Sequence, residues 1–130
     1  MATLGGTDFK LRSSTNNDPY AVLEFTATVA YTAGQMVARN DIVGVIVNTV
    51  AIGGTAVLVY KAAKIVVPCA TVTTGNIAEL AEGCKVYFQS IHGNVSDKSG
   101  GVLCGIVTTA PSSGDTEIEI HLDGMLKIVA

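Results

Sequence analysis

From Ala33 to Leu122 the chain is a succession of short apolar runs separated by glycine-rich turns. This pattern constrains the fold more than any other feature. Ala33-Gly34-Gln35-Met36-Val37 leads into Ile42-Val43-Gly44-Val45-Ile46-Val47, and Gly53-Gly54 precedes Thr55-Ala56-Val57-Leu58-Val59-Tyr60. The stretch closes with Gly114-Asp115-Thr116-Glu117-Ile118-Glu119-Ile120-His121-Leu122. Runs of this length, bounded by turn residues and not interrupted by an amphipathic helix, predict an all-β barrel or sandwich of short strands.

Individual strands follow from period and punctuation. Ala21 to Tyr31 alternates, with Leu23, Phe25, Ala27, Val29 and Tyr31 on one face and Glu24, Thr26 and Thr28 on the other. A period of two predicts a half-buried strand. Met36 to Ala38 is a short strand, and Arg39-Asn40-Asp41 is a turn. Ile42 to Val47 does not alternate, which predicts cover on both faces, and Gly44 within it predicts a bulge, a bend or a close backbone approach. Gly53-Gly54 predicts a hairpin turn. Thr55 to Tyr60 and Lys64 to Val67 read as two strands, the second closed by Pro68.

Ile77 to Glu82 fits one helical turn or an irregular connection, since propensity does not decide at this length. Lys85 to Gln89 and Val102 to Thr108 are strands. His92-Gly93-Asn94 and Ser99-Gly100-Gly101 are turns, and Ala110 to Asp115 is a loop. Thr116 to Leu122 alternates again, placing Ile118, Ile120 and Leu122 inward and Glu117, Glu119 and His121 outward. Asp123 to Ala130 reads as an extra short strand carrying Met125, Leu126, Ile128 and Val129.

Residues 1–20 differ from the rest. Ser13-Ser14-Thr15-Asn16-Asn17-Asp18-Pro19 is a polar, turn-forming tract, with Leu4, Phe9, Leu11 and Tyr20 as isolated apolar residues around it. It reads either as a frayed terminus or as an extended N-terminal arm whose Phe9 and Leu11 dock on a neighbouring subunit. The domain proper then spans 21–130.

Composition narrows the function. Only 15% of the 130 residues are charged and 48% are hydrophobic, so some apolar surface is expected to be covered in an assembly. Eight scattered basic residues against eleven acidic ones, net charge −3, do not supply the clustered cations that nucleic acid requires. No apolar run reaches the ~18 residues of a membrane span. The N-terminus lacks the pattern of a signal peptide, so folding in a cytoplasm is expected, with the three cysteines as reduced, buried thiols.

Chemical motifs are sparse. His92 lies near Ser90, Ser96 and Asp97, but on a turn tip where side chains face solvent, so a catalytic triad is not expected. Cys69, Cys84, Cys104, His92 and His121 include no close-spaced ligand pair, so no metal site is expected. Glu117 and Glu119 share an outward face, and acid/base work would need one of them desolvated. As a solvated stripe they can instead meet a basic partner or guard a sheet edge. The glycine pairs lack the Lys-Ser/Thr that follows in a phosphate loop. No catalytic residue and no cofactor is assigned, and the chain is read as a non-enzyme.

Several of these motifs, in order, resemble the capsid cement, or head decoration, proteins of tailed bacteriophages. They are Ala33-Gly34-Gln35-Met36-Val37, Ile42-Val43-Gly44-Val45-Ile46, Ile52-Gly53-Gly54-Thr55-Ala56-Val57-Leu58-Val59, Ala81-Glu82-Gly83-Cys84-Lys85-Val86-Tyr87, Gly105-Ile106-Val107 and the Gly114 to Leu122 segment. The resemblance covers about Ala21 to Leu122. It implies a small β-rich structural protein on the exterior of the virion capsid, made in the host cytoplasm. It further implies binding to the major capsid protein, as a homotrimer, and bracing of the shell against internal pressure. The residues expected at interfaces are Leu4, Phe9, Leu11 and Tyr20 of the arm and the outward Glu117 and Glu119. The alternative is a tail or surface β module that binds carbohydrate or a receptor, against which the absence of Trp and the 5% aromatic content count. A small β-barrel hydrolase ranks third, for want of a convergent polar pocket.

Overall fold

The computed structural model describes residues 10–11, 20–40 and 42–124. Among them are nine strands: β1 (Lys10–Leu11), β2 (Tyr20–Thr26), β3 (Met36–Arg39), β4 (Ile42–Ile46), β5 (Thr55–Pro68), β6 (Lys85–Gln89), β7 (Asn94–Ser96), β8 (Val102–Thr109) and β9 (Glu117–Asp123). The protein is all-β. One turn of 3-10 helix, Ile77–Leu80, is the helical option at 77–82 and buries Leu80.

The 14-residue β5 is the spine of the sheet. One of its edges carries β2 and then β1, with Thr26 opposite Thr55 and Leu11 opposite Ile65. The other carries β4 at Leu58 and Val59, then β9 from Lys61 to Pro68. The order continues β9-β8-β6-β7, and a parallel bridge from Cys69 to Val95 brings β7 back to the end of β5. The sheet thereby closes almost completely into a barrel, which hides strand edges that would otherwise template aggregation.

Thr55–Tyr60 and Lys64–Val67, read above as two strands, are one. Two irregularities keep it continuous. Tyr60 is skipped in the pairing with β2, where Ala21 faces Lys61 and Val22 faces Val59. Ala63 and Lys64 oppose one residue of β9, since Ala62 faces Leu122 and Ile65 faces Ile120. Each irregularity shifts the side-chain phase, so Val59, Ala62, Ile65 and Val67 all point into the main core at spacings a regular strand forbids.

That core fills the barrel. Val43, Val45, Val59, Ile65, Val86, Cys104, Ile120 and Leu122 are fully buried in it. Ile118, Ile120 and Leu122 point inward as expected. A second cluster lies on the opposite face of β4 and β5, where Ile46, Ala56 and Leu58 are covered by Leu23, Phe25, Tyr31, Val37, Ile42 and Val50. Two cores explain why Ile42–Val47 shows no alternation. Gly44 is the close approach: a Cβ there would overlap the Val59 carbonyl oxygen and stand 2.9 Å from Leu58 Cγ.

Strand β2 ends at Thr26, five residues before Tyr31. Its ladder with β5 gives way to looser pairing in which Ala27 meets Gly53 and Gly54, and Tyr31 meets Val50. Val29, placed by period on the inner face, is therefore exposed. The Gly53-Gly54 turn belongs to a longer 47–54 connection pinned by Asn48, whose Nδ2 donates to Thr55 O (3.0 Å) and whose Oδ1 accepts from Val57 N (3.0 Å). The strand β7 was not anticipated and starts at Asn94, read as a turn residue. Leu4, Phe9 and the tail residues 125–130 lie outside the described residues.

Candidate functional site

A recessed surface runs along the start of β9. Two adjoining open hollows of about 410 and 250 Å³ share Val66, Asp115, Glu117, Ile118 and Glu119 as lining. The strand alternation of β9 sets this up: Ile118 goes inward, and Glu117 and Glu119 go outward.

The two glutamates stand in different settings. Glu119 Oε1 accepts hydrogen bonds from Thr108 Oγ1 at 2.9 Å and Thr109 Oγ1 at 2.7 Å. A bulge in β8, where Val107 faces Ile120 and Thr109 faces Glu119, brings two consecutive threonines to one carboxylate. Glu119 is half-buried and held; Glu117 is exposed. Asp115 closes the preceding loop, its Oδ2 accepting from Ser112 N at 2.8 Å. The groove is acidic and anchored by hydroxyls, which suits recognition of a polar or basic surface.

Nucleophilic chemistry is not assembled beside it. The Cys69 thiol, 5% exposed, lies 4.0 Å from Asp115 O. Burial, with the negative charges of Asp115 and then Glu117, pushes its pKa up to about 11. Burial pushes Cys104 up to about 12, a backbone hydrogen bond at Phe88 pulling slightly the other way. Both stay protonated at neutral pH, and a protonated thiol is a poor nucleophile. Cys104 and Cys69 are the buried thiols expected; Cys84 is only half-buried.

This arrangement carries a pH prediction. The native state keeps both protons above pH 9, where the unfolded chain loses them. The contribution of these two thiols to stability is therefore fully present below pH 9 and is lost as pH rises toward 11 to 12. Urea midpoints measured between pH 8 and pH 11 should fall, and a Cys69→Ala, Cys104→Ala variant should show a shallower fall. At pH 8, a thiol reagent should label native protein at Cys84 well before the other two.

Ser96 is built into the β6–β7 region as a hydrogen-bond acceptor. Its buried Oγ accepts from Gln89 Nε2 (3.1 Å) and Lys98 N (3.1 Å), which ties down the 97–98 turn. His92 and His121 are exposed, on the β6–β7 turn and on β9. Among the described residues no group of three His, Cys, Asp or Glu side chains is placed to hold a metal ion, and no helix is long and apolar enough to cross a membrane.

Among the arm residues singled out above, Leu11 sits in β1 opposite Ile65, and Tyr20 begins β2 opposite Ala62. The structure thus brings Glu117 and Glu119 together on the groove and puts the backbones of Leu11 and Tyr20 on the β5 edge away from β9. Sequence reasoning missed Arg39, whose guanidinium carbon lies 4.0 Å above the Phe25 ring, itself edge-on to Tyr31 at 5.9 Å. A cross-sheet pair leaves no local signal. With its face covered, the Phe25 ring is not an open platform for a sugar.

No curated protein and no solved structure matches the chain. A family model described as phage cement protein matches residues 18–122, from just before β2 to near the end of β9. That span takes in β2 to β8, all but the last residue of β9 and both cores, and on it the chain belongs to the phage cement protein family, a family of structural virion proteins associated with the capsid.

Proposed function

We propose that this protein binds the outer surface of an assembled phage capsid and stabilises the shell without catalysing a reaction. The observation that carries this reading is the family match across residues 18–122. It is supported by a barrel whose polar groups are used for structure. Ser96, Asn48 and Glu119 hold turns and strands, and the two buried thiols stay protonated.

The partner is the major capsid protein, and the working unit is a homotrimer. A three-fold ring of head-to-tail contacts closes on itself and does not polymerise. Its three shell contacts act together, so total affinity exceeds that of any one of them. Residues 1–20 act as an arm, with Leu4, Phe9, Leu11 and Tyr20 as apolar anchors on a neighbouring subunit, while Glu117 and Glu119 offer polar contacts. No nucleic acid and no membrane takes part.

Light-scattering mass and cosedimentation with expanded, undecorated shells test the proposal. Saturable binding, with a higher melting temperature of the decorated shell, is the expected result; a protein that ignores shells would refute it. A Phe9→Ala, Leu11→Ala double variant should lower occupancy at least several-fold. Unchanged occupancy would remove the arm from the mechanism while leaving shell binding standing.

A further inference from the structure

The charges of this chain are unevenly placed. Thr26–Ala38 and Ile42–Tyr60 contain no Asp, Glu, Lys or Arg. These segments meet at the start of β5. Ala27 N donates to Gly54 O (2.8 Å) and Gly53 N to Ala27 O (2.8 Å), while Tyr31 and Val50 exchange both bonds (2.9 and 3.0 Å). The brackets hold Thr28-Val29-Ala30 against Ala51-Ile52 as a twin-loop tip. Val29 is 51% exposed and Ile52 is 71% exposed, although the strand beside them has buried Ala56, Leu58 and Val59 completely.

From this tip we infer that the twin loop is the shell-facing anchor of the protein, seated in an uncharged, apolar depression on the outer face of the assembled capsid. The inference rests on the cement reading and adds to it which surface makes the contact. Three arguments select this occupant. First, nothing on the tip can compensate a buried charge, and leaving a partner's charge buried and unpaired is costly, so the matching surface is itself uncharged. Second, the exposed apolar set is Val29, Ala30, Ala51 and Ile52, a small part of the roughly 20–30 residues a side of a stable interface between two free proteins. A second copy in solution is therefore not held by this patch, whereas a shell that engages several contacts at once can use it. Third, the tip is already ordered. Ala33 N also donates to Thr49 Oγ1 at 3.1 Å, and Gly54 N to Ala51 O at 3.0 Å, so little conformational freedom remains to be lost on docking.

The acidic groove does not share this contact. Glu117 pairs with Pro68, at the opposite end of the 14-residue β5 from Thr55.

The test is cosedimentation of wild type, Ile52→Asp and Val29→Asp with expanded, undecorated shells, alongside melting curves and light-scattering mass of each free protein. The expected result is saturable wild-type binding and at least a tenfold weaker affinity for Ile52→Asp, with melting and free mass unchanged. Equal binding by Ile52→Asp and wild type overturns the inference and leaves the cement reading intact. A change in free mass with Ile52→Asp also overturns it, by making another copy the occupant. Absence of wild-type binding overturns the cement reading and this inference with it. Hydrogen exchange of the wild-type protein on and off shells decides the matter without a variant. Slowing at 27–31 and 50–54 is expected, and its absence in a protein that binds overturns the assignment.

Discussion

Replacing Gly44 by alanine is expected to destabilise the protein by about 3 kcal/mol, with a melting temperature lower by about 10 °C. The residue is buried between the two apolar clusters, and one added carbon would overlap the Val59 carbonyl oxygen and crowd Leu58 Cγ. Backbone cannot yield as a flexible side chain does. The β4–β5 pairing is also short, formed by Val45 with Val59 and Ile46 with Leu58 and continued by Val47 N donating to Val57 O at 2.8 Å. Its neighbour on the same edge is Gly124, whose N donates to Tyr60 O and whose own added Cβ would strike the Val43 carbonyl. Movement of β4 away from Val59 therefore disturbs the end of β9 as well. Chemical unfolding is the measurement, and a midpoint within error of wild type would mean that β4 does not pack as described.

Truncating Ile65 to alanine is expected to cost about 3 kcal/mol, while Lys64→Ala stays within about 0.5 kcal/mol. Ile65 is fully buried and Lys64 is exposed, although Ala63 and Lys64 separate Ile65 from the last inward residue, Ala62. The contrast tests the bulge directly. In a regular strand continued from Ala62, Lys64 would be the inward residue. Equal losses at the two positions would place the phase shift elsewhere. An unchanged midpoint for Ile65→Ala would remove it from the core.

Much of the architecture is legible in local pattern because the physics that produces it is local. The alternation of Glu117 to Leu122 sorts inside from outside by the two-residue period alone, and Ile118, Ile120 and Leu122 are buried accordingly. The even hydrophobicity of Ile42–Val47 signals two covered faces, and the single glycine within it signals contact with another backbone. Ordered runs from Ala33 to Leu122 suffice for the resemblance that the family match bears out.

Period fails where the pairing partner, rather than the residue, sets the phase. The spacing of Val59, Ala62, Ile65 and Val67 looks like a break between strands because a bulge exists only relative to its neighbours, here β2 and β9. Val29 continues the alternation of β2 in sequence but not in space, because β2 ends at Thr26 and the loop turns outward. The groove shows the same division. That Glu117 and Glu119 face out is written in the strand period. That Thr108 and Thr109 both reach Glu119 follows from a bulge in another strand.

By itself, then, the sequence determined the class of fold, the position of most strands, the inward face of β9 and the family. Each of these depends on residues a few positions apart. Tertiary structure alone decided that β5 is one strand, that the sheet closes through Cys69 and Val95, and that Arg39 covers Phe25. It also decided that two uncharged loops meet as an exposed apolar tip. The physical reason is that these features arise from hydrogen bonds and contacts between distant segments, whose register no single segment encodes.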